Sequence, residues 1–185
     1  IIYASNLCTE IALSASKYES FCCCLSSMNA ALYDEWKHTD AVEHLVYFLD
    51  AVMTDYIELV KTQPYMQAAH KFAVEQRALG LGVLGYHTLL QSKMIPFESW
   101  EAKVLNAELF KFIQTKANMA SIHLADEFGE PELLKGYKRR NVTLTAIAPT
   151  TSSSFILGQV SPSVEPLNSN YFVKDLAKGI FTFKN

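Results

Sequence analysis

The 185-residue sequence lacks long hydrophobic runs, spaced pairs of cysteines and any excess of basic residues. Its apolar runs are far shorter than the roughly 20 residues that a membrane-spanning helix needs, so we expect no contact with a membrane. The formal net charge is −3, which provides no basic surface for nucleic acid or for an anionic membrane. Half of the residues are hydrophobic and 19% are charged, as is typical of a globular domain.

The cysteines are few and unevenly spaced. They are Cys8 and a run of three, Cys22 to Cys24. Three adjacent cysteines form neither a secreted disulfide framework nor a zinc site, since both need spaced pairs. The five histidines are scattered without a metal-binding spacing. We therefore expect no metal on this chain and a reducing, cytoplasmic setting.

Hydrophobic periodicity predicts strands that are separated by long helices. "FCCCLS" (Phe21 to Ser26) and "VTLTAIA" (Val142 to Ala148) are typical of strands. Apolar residues spaced by three and four predict a helix around Val42 to Tyr56, and "MQAAHKFAVEQRA" predicts a shorter one. "SPSVEPLNSN" near the end is typical of a loop. The order of elements predicts an α/β fold with parallel strands.

The clearest predicted element is a long amphipathic helix over Ser99 to Phe128. Ser99 is a suitable N-cap, and Gly129 followed by Pro131 ends the helix. Its predicted buried positions are Val104, Leu105, Leu109, Phe112, Ile113, Ala117, Ala120, Leu124 and Phe128. The basic turn "YKRRN" that follows is expected to be solvated.

"SNLCTEI" places an amide, a thiol and a carboxylate at every second position. If this segment is extended, Asn6, Cys8 and Glu10 lie on one face, because side chains alternate along a strand. The alternative is a half-buried strand that carries one inert structural cysteine, and buried free cysteines are common. The spacing alone leaves both interpretations open.

Two further motifs suggest binding sites. "GLGVLG" (Gly80 to Gly85) matches the dinucleotide-binding pattern, but the preceding segment looks helical, so a strand with closely packed glycines is the favoured interpretation. "PTTSSS" (Pro149 to Ser154) places five hydroxyl side chains after a strand, where a helix N-terminus and hydroxyl donors can bind an anion. The alternative there is an ordinary Ser/Thr-rich loop with an N-cap.

Taken in order, five stretches resemble the large, catalytic subunit of class I ribonucleotide reductase. They are "SNLCTEI", "CCCLSSMN", "RALGLGVLGYHTLL", "NVTLTAIAPTTSSS" and "SPSVEPLNSNY". The resemblance implies part of a ten-stranded α/β barrel with a central finger loop. It also implies that residues 1–185 are a fragment of this single catalytic domain, truncated at both ends.

The resemblance assigns roles to the residues of the first motif and of the cysteine run. It implies that Cys8 becomes a thiyl radical that removes the 3′ hydrogen of the ribose. Glu10 would take the proton of the 3′ hydroxyl, and Asn6 would bind the sugar hydroxyls. Cys23, in the pattern C-x-L-S, would be one member of the cysteine pair that is oxidised to a disulfide, and its partner is expected outside this chain.

The resemblance also implies a phosphate site, partners and a reductant. The substrate phosphates would bind at Pro149, Thr150, Thr151, Ser152 and Ser153. The substrate would be a nucleoside diphosphate, and a small subunit with a dimetal cofactor would supply the radical, so that no cofactor is bound in this chain. A homodimer of the large subunit and thioredoxin or glutaredoxin as reductant are also implied, whereas the regions for ATP binding and allosteric control are expected elsewhere.

Two other functions remain open from the sequence. One is a dinucleotide-binding oxidoreductase that uses the glycines at 80–85. The other is an inert scaffold that keeps the fold without the chemistry.

Overall fold

The computed structural model describes residues 2, 5–176 and 179–184, and it combines helices and strands as predicted. The helices are α1 (Tyr33–Trp36), α2 (Ala41–Val60), α3 (Gln67–Gln76), α4 (Tyr86–Ser92), α5 (Trp100–Phe128) and α6 (Thr151–Ile156). The strands are β1 (Cys24–Asn29), β2 (Leu79–Leu84), β3 (Tyr171–Leu176) and β4 (Gly179–Lys184). The predicted α/β class is confirmed.

The centre of the fold is a parallel pair of strands. β1 pairs with β2 in a register that runs from Cys24 opposite Leu79 to Asn29 opposite Leu84. The strand predicted from Phe21 therefore begins three residues later and continues further than expected. All six residues of β2 are buried, as is typical of a parallel strand that is covered on both faces.

The strand predicted over Val142 to Ala148 forms only in part. This segment runs beside β2 and makes one parallel bridge, between Leu81 and Thr145. Backbone N–H groups of Leu79 and Leu81 donate to it over 3.0 and 2.8 Å. The prediction of a regular strand is wrong here, although the segment lies at the edge of the sheet where a third strand would lie.

The helices predicted from periodicity are present and form the outer layer. α5 begins after Ser99, whose hydroxyl accepts a 3.1 Å hydrogen bond from the N–H of Ala102, and ends at Gly129. α2 packs along α5 and against β1, and together they bury the main apolar core. Two predicted core positions of α5 are wrong, because Val104 and Phe128 are 52% and 59% exposed near the two ends of the helix.

Strands β3 and β4 form an antiparallel pair that the sequence analysis did not predict. The rings of Phe155 and Phe183 lie 4.8 Å apart, so α6 contacts this pair. Residues 161–170 contain no regular helix or strand, in agreement with the predicted loop. In the part of the chain that the structure describes, no helix combines the length and the apolar character needed to cross a membrane.

Candidate active site

The segment that carries Cys8 is a turn and not an extended strand. The N–H of Thr9 donates to the carbonyl of Asn6 over 3.1 Å, and Thr9 adopts a left-handed conformation with φ of 61°. The amide oxygen of Asn6 accepts from the N–H of Ile11 over 3.4 Å. The predicted strand alternation of Asn6, Cys8 and Glu10 is therefore wrong, because the chain reverses within the motif. Cys8 lies exposed in this turn as a free thiol.

Glu10 follows the turn and joins the edge of the sheet. Its carbonyl accepts from the N–H of Ile147 over 3.1 Å. Its side chain lines a cavity of about 330 Å³ together with Gln114 and Thr145. The Oε2 atom of Glu10 is buried and has no hydrogen-bond partner among the described residues. A carboxylate oxygen that is buried without a donor is costly, so a ligand that donates a hydrogen bond to this oxygen would be favoured.

The three adjacent cysteines divide between two apolar clusters, as strand alternation predicts. Cys24 packs against the main core, whereas Cys23 packs against a smaller cluster that includes Ile11 and Ala146. Cys22 contacts both clusters. Cys23 therefore lies in the same cluster as Ile11, the residue that follows Glu10.

The thiol of Cys23 is held in its protonated form. Its pKa is raised to about 11, chiefly by burial, and the neighbouring Cys22 thiol and Glu10 carboxylate contribute in the same direction. Burial likewise raises the pKa of Cys22 to about 11. Because the thiolate is the nucleophilic form of cysteine, Cys23 is a poor nucleophile at neutral pH and retains its hydrogen until a base or an oxidant acts on it.

The glycine-rich stretch is a packed strand and not a nucleotide loop. A Cβ atom on Gly80 would lie 2.3 Å from Leu25 and 2.8 Å from Ala146, and one on Gly82 would lie 2.4 Å from the carbonyl oxygen of Ala146. Both glycines lie inside β2 and are buried. They allow the neighbouring backbone to approach closely. The dinucleotide-binding interpretation of residues 80–85 is therefore wrong, and the favoured packing interpretation is confirmed.

The hydroxyl-rich stretch begins the short helix α6. Thr150 precedes the helix in a left-handed conformation with φ of 51°. Thr150 and Ser153 line a cavity, whereas Thr151 and Ser152 do not, although Ser153 is exposed as these two residues are. This division follows from helical spacing, because residues three apart share one face. Pro149 lies half-buried at the start of the turn.

The hydroxyl of Thr150 is oriented by the loop at 161–170. Its Oγ1 accepts a 2.8 Å hydrogen bond from the N–H of Ser163. Because a hydroxyl has one proton and two lone pairs, the proton of Thr150 stays available to donate. The same cavity, of about 350 Å³, is lined on the side of β1 by Leu25, Ser26 and Ser27. The cavity therefore lies between a hydroxyl-bearing turn and the strand that follows Cys23.

Comparison with known proteins identifies the family of the chain. The family model described as ribonucleotide reductase, barrel domain, matches residues 1–139 and 132–185. The chain belongs to the ribonucleotide reductase barrel-domain family. The alpha subunit of the class Id ribonucleotide reductase of Actinobacillus ureae superposes with a TM-score of 0.90 at 60% sequence identity, over 92% of this chain and 33% of that one.

Curated relatives lead to the same family. The ribonucleoside-diphosphate reductase large subunit of Invertebrate iridescent virus 6 is 40% identical over 96% of this chain and 18% of its own length. A putative large subunit from Frog virus 3 is 43% identical over 89% of this chain and 29% of its own length. The chain thus spans about a fifth to a third of the relatives that it matches.

A buried charge network in this barrel-domain chain escaped the sequence analysis. Asp50 of α2 accepts from Arg77 over 2.9 Å at each carboxylate oxygen, from Arg140 over 2.9 Å and from Asn141 over 2.8 Å. Arg140 also donates to the carbonyl groups of Phe128 and Gly129. The expectation that the basic turn is solvated is therefore wrong for Arg140, which caps the end of α5. No sequence pattern indicated this partner, 90 residues distant.

The network keeps Asp50 ionised. Burial alone would raise the pKa of Asp50, but hydrogen bonds and charge from Arg77, with further bonds from Arg140 and Asn141, hold it below its ordinary value. The network joins α2, the start of β2 and the segment that leads to the hydroxyl-rich turn.

Across the described ranges, no group of three or more His, Cys, Asp or Glu side chains is placed to hold a metal ion.

Proposed function

We propose that this chain is part of the catalytic subunit of a ribonucleoside-diphosphate reductase, which converts ribonucleotides to deoxyribonucleotides. The observation that carries the proposal is the position of the Glu10 carboxylate, which has a buried, unpartnered oxygen and acts electrostatically on the thiol of Cys23. A base and a protonated reducing thiol close together are what the reduction of a ribose carbon requires. Membership of the barrel-domain family supports the same reaction.

In this proposal Cys8 carries the radical and Glu10 acts as the base. The Cys8 thiyl takes the hydrogen atom from C3′ of the ribose, and Glu10 takes the proton of the 3′ hydroxyl. This assists loss of the 2′ hydroxyl as water. Asn6 contributes its amide to binding of the sugar hydroxyls, and the turn at residues 6–9 brings the Cys8 thiol into solvent-accessible space from which it can reach a bound substrate.

Cys23 and a second cysteine outside this chain supply the two electrons. Two thiols give up two hydrogens and become one disulfide, while the 2′ carbon exchanges its hydroxyl for hydrogen and the hydroxyl leaves as water. The hydrogen taken by Cys8 returns to C3′, so the radical is not consumed. The raised pKa of Cys23 suits this role, because the thiol keeps its hydrogen until the substrate radical forms.

We place the substrate phosphates at the hydroxyl-rich turn. Thr150 and Ser153 line the cavity and would donate through their hydroxyl groups. Thr151 and Ser152, at the first positions of α6, would contribute their backbone N–H groups, which have no partners within a helix at those positions. Pro149 sets the direction in which the chain enters this turn.

The proposal brings partners that lie outside this chain. A small subunit with a dimetal cofactor would generate the radical, and we place no cofactor on the chain itself. Two large subunits would associate as a homodimer, and thioredoxin or glutaredoxin would reduce the disulfide after each turnover. The expected location is the cytoplasm, because recycling of the cysteine pair needs a reducing compartment.

The test is Cys8→Ser in the complete large subunit, assayed with the small subunit for deoxyribonucleotide formation. We expect loss of activity with retained binding of nucleoside diphosphate, because serine keeps the size of the side chain but forms no comparable radical. Cys24→Ser is the matched control, since Cys24 packs against the main core, and it should remain active. Full activity of Cys8→Ser would refute the proposal.

A further inference from the structure

The cavity that Thr150 and Ser153 line is also lined, on the β1 side, by two hydroxyl residues, Ser26 and Ser27. Ser27 lies in β1 opposite Gly82 of β2. Its Oγ is 3.5 Å from the point that a Cβ on Gly82 would occupy. Because Gly82 has no side chain, no Cβ at the paired position of β2 covers the hydroxyl. Ser27 lines the cavity, is half-buried and donates no hydrogen bond to any described residue.

The direction of β1 relates Ser27 to Cys23. Residues at i, i+2 and i+4 share one face of a strand, so the side chains of Leu25 and Ser27 lie on the same face as that of Cys23. At about 3.3 Å per residue, Ser27 lies roughly 13 Å beyond Cys23 along the chain. A nucleotide whose ribose lies beside Cys23 would extend its phosphates toward Ser27. Ligands of parallel sheets bind at the carboxyl ends of the strands, and β1 ends two residues later, at Asn29.

The residues that line this cavity are uncharged. They are Leu25, Ser26, Ser27, Leu84, Ala148, Thr150, Ser153 and Leu157. A phosphate bound there would depend on hydroxyl and backbone N–H donors. Each hydroxyl then matters, because a hydrogen bond to a charged group is about twice as strong as one between neutral groups.

We propose that Ser27 is a further substrate-binding residue, whose hydroxyl donates a hydrogen bond to the phosphate end of the nucleotide from the side opposite Thr150. This inference rests on the function proposed above. It adds a residue of β1 to the phosphate site. Cys23, directly before β1, would then lie at the sugar, and Ser27, within β1, would lie at the phosphates.

The test is Ser27→Ala in the complete large subunit. Inhibition constants are measured for a nucleoside diphosphate and for the nucleoside without phosphates, both as competitors of a different substrate. We expect Ser27→Ala to weaken the binding of the diphosphate by about tenfold or more and to leave the binding of the nucleoside unchanged. The matched control is Ser20→Ala, because Ser20 is an exposed serine shortly before β1. This change should weaken the binding of neither ligand.

The outcomes separate the inference from the proposed function. Equal weakening of both ligands, or of neither, would overturn the role of Ser27 at the phosphates. Equal weakening would indicate damage to the fold or to the sugar site. If the unmodified enzyme failed to bind nucleoside diphosphate, or if Cys8→Ser were fully active, the proposed function itself would be refuted, whatever the result for Ser27→Ala. A variant with a raised KM and unchanged kcat would support the role of Ser27 in binding.

Discussion

Asp50 is the residue whose replacement has the most predictable consequence for the fold. The side chains of Asp50 and Arg77 are only 5% and 8% exposed, and that of Arg140 is 14% exposed. Asp50→Ala would remove the acceptor of four side-chain hydrogen bonds and leave two guanidinium groups facing each other in the interior. Removal of one partner from a buried ion pair costs about 3–5 kcal/mol.

That cost is large beside the stability of a typical domain, which is about 5–15 kcal/mol. Because the free energy of local opening sets the rate of amide exchange, a loss of 3 kcal/mol should speed exchange by about 100-fold or more. The affected amides should be those of Arg77 and Asn141 and of the strands beside them. Hydrogen–deuterium exchange of the complete subunit, followed by mass spectrometry of its peptides, measures this directly.

The matched control is Asp55→Ala, which removes an exposed carboxylate from the same helix. It should change exchange very little, because surface charges contribute about 0–1 kcal/mol. If Asp50→Ala exchanged no faster than Asp55→Ala, the network would not stabilise the fold.

The network also predicts the direction of acid sensitivity. The pKa of Asp50 is below its ordinary value in the folded state, so its contribution is present above the pKa of an unfolded aspartate, near 4, and is lost as the pH falls through the folded value. The protection of amides near the network, which is the exchange rate corrected for the pH dependence of an unprotected amide, should therefore fall on acidification. Asp50→Asn should show a smaller fall than the unmodified protein.

Three further predictions concern the site. Glu10→Gln should lower kcat and leave the binding of nucleoside diphosphate unchanged, because it removes the base but keeps the shape; lost binding with unchanged chemistry would contradict that role. At pH 8, iodoacetamide should label the exposed Cys8 before Cys23, because the Cys23 thiol, with a pKa of about 11, is only about one part in a thousand thiolate. Mass mapping of peptides gives the order of labelling. Gly82→Ala should destabilise the protein by roughly 1–3 kcal/mol, since the new Cβ would lie 2.4 Å from the carbonyl oxygen of Ala146; an unchanged melting temperature would contradict the packing.

The local sequence pattern was sufficient to predict the long helices. The period of apolar residues predicted α2 and α5, and Ser99 and Gly129 predicted the limits of α5 to within one residue. These features are decided by neighbours along the chain, through hydrogen bonds and side-chain spacing within one element. The end positions Val104 and Phe128 were predicted wrongly, because burial at the end of a helix depends on which element lies beside it.

The residues of the candidate site remain a prediction from the order of motifs, whereas part of its shape can be compared with the structure. The order of motifs indicated Cys8, Glu10 and the turn at 149–153 together, but a strand-like arrangement of the first motif was wrong. Thr9 adopts a left-handed conformation at which the chain reverses. A threonine in the sequence does not indicate this conformation, because glycine, asparagine and aspartate are the residues that usually adopt it.

By itself, the sequence determined the secondary structure of the long helices, the strand character of the glycine-rich stretch and the family of the chain, because these depend on short-range patterns and on the order of motifs. Only the tertiary structure decided that Arg140 pairs with Asp50, that Thr150 and Ser153 line a cavity while Thr151 and Ser152 do not, and that Ser27 lines the same cavity. The reason is physical: burial, desolvation and the closing of a cavity depend on segments that are far apart in the chain, as Asn29 and Leu157 are at a separation of 128 residues, and no local pattern encodes which of them meet.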